Sequence, residues 1–450
     1  MLKELLKPEI QELIEQNDWQ ILKEALSPWP APDIADLLIN LTEDDMVILF
    51  RLLPRQLAAD VFSELNTDAQ MTLLQQLSNN HIQDIISELP PDDRTEIFGE
   101  LPAKITRRLL NLLSPEDRKE SLKLLGYPEN SVGRLMTPDY VAIHPYWTVS
   151  QSLEHIRKFG HDAETFNIIY VVDETWHLVG AITLRKLILA SPQQTIESIM
   201  TKDILSISPF DDQEKAVQAT DRYDLYVLPV VDSETTLLGI VTVDDILDVS
   251  VDEFTEDAQK AGGIVPLEID YSSASIWTLY SKRIIWLSLL AVSGFLSGSV
   301  ISAFDETIAA LVVLAFFIPV LIGTGGNTGT QSATLIIRAI ATGDLTLQKW
   351  FSAIKKEVFV GLVLGVTLGI IFYFWSYLWK GMPVVAVIVS MSVFAITLWA
   401  NLLGSLLPIV LTKLKLDPAV VSAPLISTLM DATGLTIYFT IATWLLKIWT

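Results

Sequence analysis

Cysteine is absent from this 450-residue chain. That excludes disulfides, thiolate metal centres and cysteine nucleophiles, and it leaves the redox compartment open. Histidine is scarce: five residues, at 81, 144, 155, 161 and 177, are scattered without metal-ligand spacing. Basic charge is scarce over residues 1–270, where 21 Lys/Arg face 48 Asp/Glu, a net charge of −27. Residues 271–450 hold ten basic and six acidic residues, net +4. So acidic a region repels nucleic acid and favours cations or basic surfaces as partners. The opening Met1–Lys7 is too polar for the apolar core of a secretory leader, so none is expected. No Gly-Lys-Ser/Thr phosphate loop, nucleophile motif or paired catalytic carboxylates are visible, and the chain reads as a non-enzyme.

Charge is also nearly missing from five long runs. These are Ile284–Phe304, Thr307–Ile337, Val358–Trp379, Gly381–Thr412 and Pro418–Leu446, the last broken only by Asp431. Each exceeds the roughly 20 residues that a spanning helix needs. Lys282, Arg283, Arg338, Lys349, Lys355, Lys356, Lys413 and Lys415 flank one side of these spans. The positive-inside rule then places the acidic region in the cytoplasm and the C-terminus outside, across a plasma (inner) membrane with lipid around five helices.

Within the spans, Asp431 stands out. A charge at a helix centre costs roughly 2.5–3.5 kcal/mol, so such a carboxylate faces a bundle interior or water and marks function. Its natural partner is a cation. Gly323, Gly325, Gly326 and Gly329 crowd the second run, where they permit either close backbone approach or a broken helix. Asn327 and Gln331 share a helix face, and with Asn401 they are candidates for lining a pathway. Pro408 predicts a kink after Asn401.

The acidic region carries two repeats. Leu41, Leu53, Leu65, Leu77, Leu89, Leu101, Leu113 and Leu125 recur every twelve residues, each followed by a cap or turn residue. Apolar pairs such as Leu49/Phe50, Val61/Phe62 and Ile97/Phe98 recur between them. Each unit reads as one short helix, too small alone, so stacked units predict an all-α superhelical solenoid with Asp60, Asp92, Asp93 and Glu96 on outer faces. The second repeat spans 133–248: Val171–Thr183 matches Val230–Thr242, a strand–turn–strand followed by a helix. This α+β unit resembles a tandem CBS pair, a module that often binds adenosine nucleotides. The ribose motif that the resemblance implies is complete once, as Gly239, Thr242 and Asp245. In the first copy Lys186 replaces the acid. One nucleotide site, for ATP or a relative, is therefore the expectation.

After the second copy come seven carboxylates within residues 243–257. Asp245, Asp248, Asp252 and Glu256 lie close to one helix face. Such like charges repel, and a bound divalent cation would relieve them. All-oxygen ligands suit Mg²⁺ or Ca²⁺.

A helical solenoid (1–130), a CBS pair (131–249), an acidic connecting helix (250–270) and five spans (271–450), in that order, resemble the MgtE magnesium channel/transporter family. The match is carried by Gly323–Arg338, Asp417–Pro424 and Asp431–Tyr438. The resemblance implies a homodimer in which Asp431 of each chain holds a largely hydrated Mg²⁺. It also implies Mg²⁺ sensing by Asp92 and Glu96 in the solenoid, and by Asp212, Glu214 and Asp224 in the second CBS copy. Around the connector the implied ligands are Asp245, Asp248, Glu253, Glu256 and Asp257. A gate closed by cytosolic Mg²⁺ is the expected function. A membrane-anchored Mg²⁺ or nucleotide sensor, or a transporter of Mn²⁺, Co²⁺ or Ca²⁺, is the alternative.

Overall fold

The computed structural model describes residues 9–10, 12–14, 16, 18–267, 271, 274–345 and 349–449. The chain forms two compact units, Met1–Val251 and Asp252–Thr450.

The twelve-residue repeat dictates the first part of unit one. After α1 (Trp19–Leu26) come α2 (Ala31–Ile39), α3 (Glu43–Leu52), α4 (Arg55–Ser63), α5 (Thr67–Gln76) and α6 (Asn79–Glu88). They are followed by α7 (Pro91–Glu100), α8 (Ala103–Leu110) and α9 (Pro115–Leu124). From α2 onward every helix starts twelve residues after the last. The residue following each repeat leucine from Leu41 to Leu113 is the helix N-cap. Thr42, Asn66, Ser78 and Ser114 each accept a backbone N–H from the first turn. Pro54, Pro90 and Pro102 cap by their extended backbone instead. The apolar pairs from Leu49/Phe50 to Ile97/Phe98 are buried and join one continuous core. Helices pack mainly on the neighbour two places along, α2 on α4, α4 on α6 and α7 on α9. Each short amphipathic face is thereby covered by its neighbours.

The second repeat builds two small sheets. Strand β1 (Tyr140–Ile143) runs parallel to β2 (Thr165–Val172), which pairs antiparallel with β3 (Leu178–Thr183). Strands β4 (Val227–Val231) and β5 (Leu237–Thr242) form the second pair. Register is the same in both copies, with Val171 opposite Gly180 and Val230 opposite Gly239. A single parallel bridge from Ile207 to Val230 stands where the first copy has a full strand. Gly239 is dictated sterically, since a Cβ there would lie 2.8 Å from the Thr137 carbonyl.

The connecting helix, Val243–Ala261, starts directly after β5 and crosses from one unit into the other. It begins and ends earlier than the 250–270 read from the sequence. Thr242 and the first-turn acids open it at one end, and Gly262–Gly263, with Gly263 at φ +71°, stop it at the other. Residues 268–270 of the expected connector lie outside the described residues.

Among the described residues, unit two holds five helices long and apolar enough to cross a membrane. They are Ile276–Ala303, Val312–Ala341 (opening with a 3₁₀ turn at Val312–Phe317), Trp350–Lys380, Pro383–Lys413 and Ala423–Trp449. The glycine run does not break the second span, which is α-helical from Ile318 to Ala341. Close approach explains the glycines instead. A Cβ on Gly325 would meet Ile396, and one on Gly329 would meet Ile426, both at 2.8 Å. The Gly329 carbonyl itself lies against Gly404 of the fourth span. Gly361, Gly365 and Gly369 similarly seat the third span on Asn401, Phe394 and Ser390 of the fourth.

Phe62 is fully buried in the repeat core. Phe62→Ala should cost about 3–5 kcal/mol and lower the melting temperature of unit one, read by circular dichroism on the full-length protein. A melt superimposable on the parent's would show that the repeats do not share a continuous core.

Candidate cation sites

A group of unit-one carboxylates gathers here, and charges among them raise the pKa values of several members. The group comes from α4 (Asp60, Glu64), α7 (Asp92, Asp93, Glu96, Glu100), the segment before β2 (Glu164) and the first turns of the connecting helix (Asp244, Asp245, Asp248). Asp92 was expected on an outer face. It is buried instead, at 6% exposure, and its Oδ1 has no hydrogen-bond partner. Burial, then the charges of Asp245, Asp93 and Glu164, hold its pKa well above the ordinary carboxylate range. Burial and Glu64, Asp244 and Asp60 push Asp93 up to about 6. Glu96 keeps water on one side, yet lost hydration and Glu100, Asp93, Asp245 and Asp248 raise it to about 7. Asp245 also rises to about 7, chiefly by burial, against hydrogen bonds from Thr242 that oppose the rise. Asp248 rises through burial and Asp244.

Such crowding favours a proton or a cation. Among the described residues no three Asp, Glu or His side chains converge closely enough to chelate one metal ion by themselves. An ion here would be held by one or two carboxylates and keep several waters, the habit of Mg²⁺.

Other expected ligands lie apart from this group. Asp212 and Asp224 stand at the two ends of the exposed helix Gln213–Tyr223, Asp212 as N-cap accepting from the Glu214 amide at 2.9 Å. Asp224 is the C-cap, in the left-handed region at φ 51°. In the ribose motif, Thr242 Oγ1 donates to Asp245 Oδ2 at 2.7 Å and also to Asp244. The motif's hydroxyl and acid are thus bonded to each other.

The far half of the connecting helix belongs to unit two. Glu253, Glu256 and Asp257 are half-buried there. Lys260 forms ion pairs with Glu256 and with Asp417, the latter at 2.6 Å. Burial alone would lower the lysine's pKa; the hydrogen bonds to Asp417 and Glu256 outweigh it and raise it. Asp257 is raised by burial and by Asp417, and Lys260 opposes the rise. It lines a cavity of about 260 Å³ with Thr330, Thr334 and Arg338 of the second span.

Deeper in unit two, Asp431 is half-buried on the fifth span. Asn327 and Gln331 are exposed on one face of the second span, the side facing away from its buried glycines. Asn401 does not join them: it is 3% exposed and donates Nδ2 to the Glu357 carbonyl at 3.1 Å. Ser332 donates to both the Glu357 carboxylate (2.9 Å) and the Asn401 carbonyl (3.1 Å), tying the second, third and fourth spans together. Glu357 was missed because the charge-free run began at Val358, whereas the helix starts at Trp350. Lys260 was missed although its spacing from Glu256 is an i,i+4 signal.

Residues 318–441 match the MgtE divalent cation transporter family, 29–130 the MgtE intracellular N domain, and 132–192 and 196–252 the CBS domain. The magnesium transporter MgtE of Thermus thermophilus is 45% identical over 72% of each chain. That of Bacillus subtilis is 37% identical over 71% of this chain and 70% of its own. The solved cytosolic domain of the Mg²⁺ channel MgtE in complex with ATP superposes with a TM-score of 0.52 at 38% identity. It covers 54% of this chain and 100% of its own. The soluble part of a magnesium transporter gives 0.52 at 30% identity, over 56% and 99%.

A carboxylate whose folded pKa is raised stabilises the fold most below its unfolded value, and that stability is lost as pH rises through the folded pKa. For Asp93, Glu96 and Asp245 the window runs from about 4 to about 7. His155, lowered by burial, works in the opposite sense within it. Without divalent cations, unit one should therefore melt higher at pH 5 than at pH 8, and Asp93→Asn plus Glu96→Gln should shrink the difference. A melting temperature independent of pH in this range would refute the crowding.

Proposed function

The chain belongs to the MgtE family of magnesium transporters, and from that premise we propose a Mg²⁺ pathway gated closed by Mg²⁺ on its acidic side. Family membership makes the chain a transporter rather than an enzyme. The observation that carries the gating reading is the buried, hydrogen-bond-deficient carboxylate of Asp92 amid the acids of α7 and the connecting helix. Hydrated Mg²⁺ fits these acids, which offer single carboxylate oxygens rather than a cage. Binding would remove repulsion between α4, α7 and the start of the connecting helix. That helix runs unbroken into unit two, so its position transmits the change. Asp92, Glu96, Asp245 and Asp248 are our first assignment as regulatory ligands. Asp212, Glu214, Asp224, Glu253, Glu256 and Asp257 form a second tier, since capping or an ion pair already engages several of them.

We assign transport to Asp431, with Asn327 and Gln331 beside the pathway and Asn401 as a packing residue. A second copy completes the pathway in this reading. One chain leaves Asp431 half-covered and the Asn327/Gln331 face open, as a pore between the subunits of a homodimer would require. Basic residues concentrated on one side of the spans support a topology with unit one and the connecting helix in the cytoplasm and the C-terminus outside, in the cell membrane. ATP is the secondary ligand, at Gly239, Thr242 and Asp245; a solved relative's cytosolic domain is a complex with ATP. To admit a ribose, Thr242 and Asp245 must exchange their mutual hydrogen bond for one to the ligand.

Purified protein in liposomes should take up Mg²⁺ at low Mg²⁺ on the soluble-unit side and stop at millimolar concentrations. Asp431→Ala should abolish uptake. Folded protein without Asp431-dependent flux would leave a sensor that transports nothing, and the same assay with Mn²⁺, Co²⁺ and Ca²⁺ ranks the ions. Moving a gate from 1:99 to 99:1 needs about 5.5 kcal/mol of differential binding. If about four weak sites share it, Asp245→Ala should shift the gating equilibrium about tenfold toward open. An unchanged closing concentration would remove Asp245 from the gate.

A further inference from the structure

Lys260 sits on the last turn of the connecting helix with its side chain only 23% exposed. Its ammonium bridges Glu256 on the same helix and Asp417 Oδ2, 2.6 Å away, on the segment leading into the fifth span. The other Asp417 oxygen accepts the Ala419 N–H at 2.8 Å, which fixes the carboxylate in place. The same end of the helix is fastened by three further contacts. Gln259 Oε1 accepts the Leu267 N–H at 2.7 Å, and the Val265 N–H donates to the Lys282 carbonyl at 3.1 Å. Gly263, at φ +71°, lies against the Trp286 indole of the first span and near Pro424 of the fifth; a Cβ would collide with that indole. Burial, Asp417 and Glu256 raise the pKa of Asp257 at this junction, and Lys260 opposes the rise.

We propose that Lys260 is a tethered counter-cation that docks the end of the connecting helix on the membrane unit, filling at this junction the place of a bound divalent ion. The assignment rests on the Mg²⁺-gated reading above and deepens it. Were Lys260 absent, Asp417 and the half-buried Glu256 and Asp257 would bring three like charges to this junction, where they repel and are only partly screened. An external cation would then have to offset them before the helix could seat. The ammonium supplies that charge within the chain. The helix can then dock with one divalent ion fewer, and the Mg²⁺ concentration that closes the gate is lower than the acids alone would set. Lys260 is a positioning residue: its ammonium pairs with Glu256 and Asp417, and it acts on the helix rather than on the transported ion.

Mg²⁺ uptake by full-length protein in liposomes, at stepped Mg²⁺ on the soluble-unit side, tests this directly. Lys260→Gln should raise the half-closing concentration about threefold, the scale of a partly exposed ion pair, and leave more uptake at the lowest Mg²⁺. Lys260→Arg, which keeps the charge, should close near the parent's concentration. An unchanged midpoint in Lys260→Gln overturns the proposal. So does a fall, which would mean that the ammonium competes with Mg²⁺ for these oxygens. A readout independent of flux guards against misfolded variants. A carbodiimide joins amines to carboxyl groups in direct contact, and in the parent at high Mg²⁺ it should yield a Lys260–Asp417 cross-linked peptide by mass spectrometry. Absence of that peptide rejects the contact. If the parent shows no Asp431-dependent uptake, the transport reading fails, and the cross-link still decides whether Lys260 docks the helix.

Discussion

Repulsion among carboxylates is the constraint around which unit one is arranged. Asp92 and Asp93 occupy the first turn of α7, and Asp244 and Asp245 the first turn of the connecting helix. The positive ends of the two helix dipoles offset part of the repulsion, but each contributes only a fraction of a charge. Burial, together with the remaining repulsion, leaves carboxyl groups that hold protons near neutral pH. A cluster in this condition is poised: a divalent cation, unlike a proton, can neutralise two carboxylates on different helices at once. That is why these acids suit the proposed gate and are not merely a soluble surface.

Unit two answers to the opposite constraint. With almost no charge to spend, its helices are joined by close backbone approach at Gly325, Gly329, Gly404 and the Gly361–Gly369 stripe, and by the Ser332–Glu357–Asn401 node. Small residues and satisfied polar groups are the available adhesives where lipid tails compete with every apolar contact. The glycines therefore serve packing in an unbroken helix, and the second span keeps its polar face of Asn327 and Gln331 on the other side. The two regimes meet on the connecting helix, which starts among crowded acids and ends with one lysine between carboxylates.

Much of the fold was legible because it is periodic. A leucine followed by a cap every twelve residues fixes where each helix starts, and the N-caps fall on those residues without a slip from Thr42 to Ser114. Five apolar runs announce five spans. Their ends were less legible, since charged residues such as Lys355, Lys356 and Glu357 can ride on a helix outside the apolar run or bond within the bundle. The candidate site was legible in composition and resemblance, less so in geometry. Asp44, Asp68 and Asp92 hold the same place in the twelve-residue repeat, yet Asp92 is buried and the other two are exposed. Nothing in the twelve-residue pattern separates them, because the difference comes from what packs on α7.

From the sequence alone, this protein is an acidic repeat and CBS module joined to five membrane helices, with one carboxylate stranded in the last span. Those features are local: periodicity, run length and the cost of a charge in lipid need no tertiary contact to be read. Tertiary structure decided which acids act on one another, that Asn401 packs rather than faces a pathway, and that Lys260 reaches Asp417 across 157 residues of chain. Charge interactions fall off with distance and strengthen with burial, and both are properties of the folded arrangement, not of order along the chain.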